Sequence, residues 1–238
     1  MNDNKNTCAF ADAEQDGRVV FTEEMKKDYT ILLPNMLPRH FRILSKVFQF
    51  YGYHTVLLEE NSEEEARKVI DAGLRSVHND ACYPALLVIG QFISALESGK
   101  YDPHKTALMM TQTGGGCRAS NYISLIRKAL KKAGFGYVHV ISLNFSGLED
   151  NPGFKITIPM IHRALYAVLY GDLLMSLINQ TRPYETVKGS AEALADRWVD
   201  RLVDEMTHHT IRYSAVKKNY DRIVSDFAKI ENCRGNIC

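Results

Sequence analysis

The chain has 238 residues, 45% of them hydrophobic and 24% charged, a composition that supplies a sizeable core and fits one large globular domain or two small ones. Lys and Arg number 29 against 28 Asp and Glu, and they are spread along the chain, so neither a nucleic-acid footprint nor an anionic-membrane patch is expected. No basic-then-apolar leader opens the sequence and no apolar run is expected to reach the roughly 18 residues of a bilayer span, so the expected location is cytoplasmic, with no nucleic acid and no membrane among the partners.

The first two dozen residues are polar and lack sustained periodicity, and order is expected from Tyr29. Tyr29 to Leu33, running into Pro34, has the pattern of a buried strand followed by a breaker. After Pro38, the residues Phe41, Leu44, Val47 and Phe48 repeat at helical spacing until Gly52, and His54 to Leu58 supplies a second strand. Ser62 and Glu65 then form a capping box, which predicts a helix through about Arg75.

Asn79 and Asp80 interrupt the pattern, and from Cys82 to Leu96 the sequence is apolar nearly all round, as in a buried helix. Asp80 as N-cap and Pro84 in the first turn would put Cys82 in that first turn. A third strand, Thr106 to Thr111, leads through Gln112-Thr-Gly-Gly-Gly-Cys117 into a helix with the inner stripe Ile123, Ile126, Leu130 and Ala133. Lys128, Lys131 and Lys132 crowd the end of that helix before Gly134, where cations complement the negative pole. A fourth strand, Tyr137 to Leu143, opens a long loop, Asn144 to Gly153.

From Ile158 the remainder reads as three helices: Pro159 to about Asn179, Ser190 to His208 with Leu194, Trp198, Leu202 and Met206 on one face, and a last one to about Ile230. The expected fold is therefore α/β, a mainly parallel sheet with flanking helices and a helical C-terminal part, with sites at the carboxyl ends of the strands. The expected divisions are a polar lead-in (1–24), an α/β lobe (25–157), the helical part (158–232) and a tail (233–238).

Five cysteines without an export signal read as thiols or metal ligands rather than a disulfide framework, with Cys8, Cys233 and Cys238 in polar ends. Cys82 in Asn-Asp-Ala-Cys-Tyr-Pro and Cys117 in Gly-Gly-Gly-Cys-Arg-Ala-Ser-Asn-Tyr each fall where a helix should begin. A helix start offers unpaired N–H groups and about half a positive charge, which suits a thiolate and an anionic cluster beside it. Gly114, Gly115 and Gly116 let the backbone approach something bulky and turn its N–H groups toward an anion, and Arg118 and Asn121 could add donors.

Other chemistries fit the same segment less completely. Gly114-x-Gly116-x-x-Ala119 satisfies the dinucleotide fingerprint in form, but no Asp or Glu follows before Glu149 to bind a ribose. The loop lacks Gly-Lys-Ser/Thr, which excludes a Walker phosphate loop. A helix-activated nucleophilic cysteine would need a base, for which His78 and His162 are the candidates, and two ordinary buried cysteines are the plainest alternative.

The segments from Asn79 to Gln91, Met110 to Leu130 and Ser142 to Lys155 resemble the region that follows the activase part in large CoA-substrate-specific enzyme activase proteins, related to the 2-hydroxyacyl-CoA dehydratase family. The similarity runs from about Phe21 to Ile230. It implies Rossmann-like α/β lobes, an iron–sulfur cluster of [4Fe–4S] or double-cubane type held by cysteines, and an ATP-hydrolysing activase that injects low-potential electrons. Cys82 and Cys117 match two of the three cysteines the family uses. The third lies in a further lobe without a counterpart here, so a second lobe or subunit, or a tail cysteine, would have to complete the ligand set. A cluster ordinarily takes about four cysteines, or three and an exogenous ligand.

Three functional readings follow: a cluster-binding, electron-accepting component of an ATP-driven reductase or dehydratase system, a 2-hydroxyacyl-CoA dehydratase subunit whose cluster meets substrate, and a metal-free interaction domain that docks to an activase.

Overall fold

The computed structural model describes residues 20–78, 81–111, 121–143, 152–208 and 211–233. Within them the order is α1 (Met25–Asp28), β1 (Thr30–Leu33), α2 (Pro38–Phe50), β2 (His54–Leu57), α3 (Glu63–Ser76), α4 (Tyr83–Glu97), β3 (Thr106–Thr111), α5 (Tyr122–Lys132), β4 (His139–Leu143), α6 (Ile158–Thr181), α7 (Ser190–His208) and α8 (Tyr213–Ala228).

All four strands are parallel, in the order β2-β1-β3-β4, with Leu32 level with Val56 on one side and with Leu108 on the other. Continuous apolar strands are what a sheet covered on both faces requires. Ile31, Leu33, Ala107, Met109 and Ile141 point into the layer of α2, α6, α7 and α8, while Leu32, Leu108, Met110 and Val140 point into the layer of α3, α4 and α5. The stripe of Trp198, Leu202 and Met206 belongs to the first of these clusters, so the C-terminal helices cover one face of the sheet.

The connection from β1 runs through α2 on the first face, and that from β3 runs through α5 on the second. Because β1 and β3 are neighbours, the chain leaves them in opposite directions, which opens a crevice at their carboxyl ends.

Local chemistry sets the helix boundaries. Ser62 Oγ accepts the Glu65 N–H at 3.2 Å, as the capping box predicts. The return bond differs: Glu65 Oε2 accepts from the Asn61 N–H at 2.8 Å, one residue earlier than the box, while its Oε1 accepts from Lys100 at 3.2 Å. At α7 the Glu185 carboxylate accepts the N–H groups of Gly189 and Ala191 and the Ser190 hydroxyl. Those bonds hold its carboxyl below the usual range.

Order starts earlier than Tyr29. Phe21 is 1% exposed, with its ring edge-on to Tyr29 at 6.1 Å and to His139 at 6.4 Å, so an aromatic anchor ties part of the polar lead-in to the core. The chain is also ordered at Cys233, whose N–H donates to the Tyr184 carbonyl at 2.9 Å beside the Glu185–Asn232 bridge. Cys233 is disulfide-bonded, which corrects its reading as a thiol in a loose tail. Helix α6 is long and apolar enough by length and composition to cross a membrane, though Arg163 and Asp172 interrupt the run. Its Met160, Ala167, Tyr170, Gly171, Leu174 and Ile178 are buried in the core of the first layer.

Candidate functional site

Cys82 is the N-cap of α4 rather than a first-turn residue, with an extended backbone (φ −67°, ψ 148°) and no side-chain capping bond. Its carbonyl accepts the Leu86 N–H at 3.1 Å, so the first helical bond already starts from the cysteine, and Pro84 occupies the first turn as expected. The thiol is free and half-buried against the second core layer. Its Sγ lies 3.7 Å from the hydroxyl of Tyr122, the first residue of α5. Tyr122 is itself buried, so its ring forms the inner wall and its hydroxyl turns to the sulfur.

This contact joins two segments 40 residues apart. It sits where α5 begins, beyond the carboxyl end of β3, which is the side of the sheet where ligands bind in open parallel folds. Asn121 is exposed just before α5 and its side chain makes no capping bond. The α-helix proper begins at Tyr122, five residues after Cys117 in the sequence. Cys117, Gly114, Gly115, Gly116 and Arg118 lie outside the described residues, as do Asp80 and most of the loop Asn144 to Gly153.

The structure brings a further pair to this edge that the sequence reading missed. Just past β1, the Asn35 N–H donates to Gln91 Oε1 at 2.9 Å, and Gln91 Nε2 donates to the Asn35 carbonyl at 3.4 Å. The Asn35 Oδ1 is buried without a hydrogen-bond partner. An acceptor left in that state costs free energy unless something donates to it. Gln91 was visible as a polar residue inside the apolar run of α4, and that interruption was the available signal. Its partner, 56 residues away, was not.

Gln91 also lines a cleft of about 760 Å³ between the β2–α3 connection and α4, whose walls include Glu59, Asn61, Lys68 and Ser94. The Glu65–Lys100 and Arg75–Glu97 ion pairs cross that cleft's rim, in the open, where such pairs contribute little. Cys82 is not among the cleft's lining residues.

The two histidines considered as bases for a nucleophilic thiol separate clearly. His162 lies on the exposed face of α6, edge-on to Tyr166, in the layer opposite Cys82. His78 is four residues before Cys82, and its carbonyl accepts the Ala81 N–H at 2.9 Å. Among the described residues no group of three or more His, Cys, Asp or Glu side chains is placed to hold a metal ion. No family model, no curated protein and no solved structure matches the chain.

Proposed function

We propose that the chain is an iron–sulfur-cluster-binding, low-potential electron-accepting component of an ATP-driven reductase or dehydratase system, with Cys82 and Cys117 as thiolate ligands. The observation that carries this reading is the free Cys82 thiol at the start of α4, 3.7 Å from the Tyr122 hydroxyl, at the carboxyl edge of a parallel sheet. Cys117 precedes Tyr122 by five residues, a length of chain that reaches at most about 17 Å, so both sulfurs can serve one centre.

At this edge the described residues offer one free thiol and one hydroxyl, less than a full ligand set. A partner lobe or subunit therefore supplies the rest, and an ATP-hydrolysing activase the electrons. Within such a centre this chain's residues would bind iron through Cys82 and Cys117, exclude water with the apolar wall around Tyr122, and tune the potential by the tyrosine hydroxyl's hydrogen bond to sulfur.

The test is anaerobic reconstitution with ferrous iron and sulfide beside the complementing partner. Wild type should bind iron and acid-labile sulfide and show a broad thiolate-to-iron absorption. Cys82→Ala and Cys117→Ala should each lose most of it, whereas Tyr122→Phe should keep the iron and change the reduction potential. Wild-type protein without iron, or cysteine variants that retain it in full, would overturn the assignment. An iron-free protein that still binds an activase would leave the interaction-domain reading instead.

A further inference from the structure

Helix α6 is apolar on both sides. Opposite its core face it exposes Ile158 (82%), Ile161 (41%), Leu165 (55%), Val168 (39%), Leu169 (38%) and Met175 (39%). These fall into two interleaved series seven residues apart, Ile158–Leu165–Asp172 and Ile161–Val168–Met175, which is the spacing of a two-helix seam. The ionisable side chains on this exposed face are His162 and Asp172.

We propose that α6 forms the two-fold contact of a homodimer, packed antiparallel against α6 of a second copy. With the axis midway between Tyr166 and Ala167, Leu165 lies opposite Val168 of the second copy, Ile158 opposite Met175, and Ile161 with its neighbour His162 opposite Asp172. The stripe is thus complementary to itself, as an isologous contact requires. A parallel pairing in register would set Asp172 against Asp172, and a polar residue in such a seam selects the arrangement that satisfies it.

Asp172 already bonds His40 Nε2 through Oδ1 at 2.9 Å, yet its side chain remains 58% exposed, which leaves the other oxygen for the second copy's imidazole. That carboxylate also argues against a lipid surface, where an ionised group on the outer face would be costly.

The stripe from Ile158 to Met175 is about 26 Å long and a helix about 10 Å wide, a flat footprint of about 260 Å² per copy and about 520 Å² for the pair, so the contact is small. A footprint of that size suits a weak, reversible dimer held by the fit of the stripe to itself rather than by its area. This proposal does not depend on the iron reading.

Sedimentation of the full chain across micromolar concentrations should show reversible doubling of the monomer mass. Leu165→Glu should raise the dissociation constant at least about tenfold with unchanged circular dichroism, because Leu165 is outside the core. Leu74→Glu, an exposed leucine on α3, should leave the dimer intact and serves as the folding and solubility control. His162→Glu should weaken the dimer and His162→Lys should not, since only the first places like charges together. A monomer at every concentration, a dimer indifferent to Leu165→Glu, sedimentation of the monomer with phosphatidylcholine vesicles, or a monomer that docks only a separate lobe on α6 would each overturn the proposal.

Discussion

The layer of α3, α4 and α5 and the layer of α2, α6, α7 and α8 cover the same sheet by different means. In the first, helices approach until backbone touches backbone: a Cβ on Gly90 would stand 2.1 Å from the Val69 carbonyl oxygen, and one on Gly73 2.5 Å from that of Leu86. In the second, bulk fills the space. Trp198, Tyr170, Phe227 and Met206 are buried there, with ion pairs such as Arg39–Glu192 and Arg42–Asp200 tying α2 to α7 at the rim. The close-packed layer carries Cys82, half-buried at the start of α4. The bulky layer ends in the open stripe of α6. The candidate site and the proposed dimer contact thus lie on opposite faces of the sheet.

The largest effect should come from removing bulk. Trp198→Ala empties a site 2% exposed beneath α7, and a cavity of that kind costs about 3–5 kcal/mol in chemical denaturation. Adding a single methyl should do comparable harm in the other layer. Gly90→Ala forces α3 and α4 apart at backbone atoms that cannot swing aside, and should cost about 3 kcal/mol, at the upper end of overpacking. Equal tolerance of Gly90→Ala and of Gly136→Ala, whose added Cβ would meet nothing nearer than the Lys131 side chain at 3.3 Å, would erase the distinction between the layers. Gln91→Leu comes next. It strips the Asn35 N–H of its acceptor beside an Oδ1 that is already unpartnered, for about 1–3 kcal/mol.

Much of this architecture was legible beforehand. β3 over Thr106–Thr111 and α7 over Ser190–His208 agree with expectation at both ends, β3 because it is a continuous apolar run ahead of Gln112 and the glycines, α7 because a strong helical period follows Gly189. Gly52 and Gly134, at φ +83° and +84°, stop their helices as read. The parallel sheet followed from alternating strands and helices. What was not legible depends on distant partners. Phe21 looked like part of a polar lead-in because Tyr29 and His139, which enclose it, adjoin it only after folding. The entry to α4 was misjudged by a residue or two, since Asp80 is a good capping type and nothing local shows that Cys82 takes the cap. Of the proposed site, Cys82 was singled out correctly as a helix-start thiol, but its neighbour Tyr122 and the Asn35–Gln91 pair come from contacts between segments that share no local pattern.

The smallest expected effect concerns His139, which sits in the bulky layer at the start of β4. Its ring meets Tyr29 nearly at right angles at 5.4 Å, and its Nε2 is buried without a hydrogen-bond partner. Burial holds its pKa below the usual 6.5. A group whose folded pKa is depressed binds fewer protons when folded than when unfolded, so its contribution to stability is complete above the unfolded value and is lost as pH falls below it. Glu192, held low chiefly by its hydrogen bond from Arg39, has the same sign of dependence, but its window opens only below the ordinary carboxylate value of 4.5. Melting between pH of about 7.5 and about 5.5 therefore separates this imidazole from the carboxylate, and the His139→Phe comparison assigns the effect to it. Wild type should lose stability across that interval, and His139→Phe, which keeps an aromatic ring against Tyr29 and removes the orphaned nitrogen, should lose distinctly less. Parallel curves for the two proteins would mean that His139 is solvated in the folded chain, and the dry packing assigned to this layer would then stop short of β4.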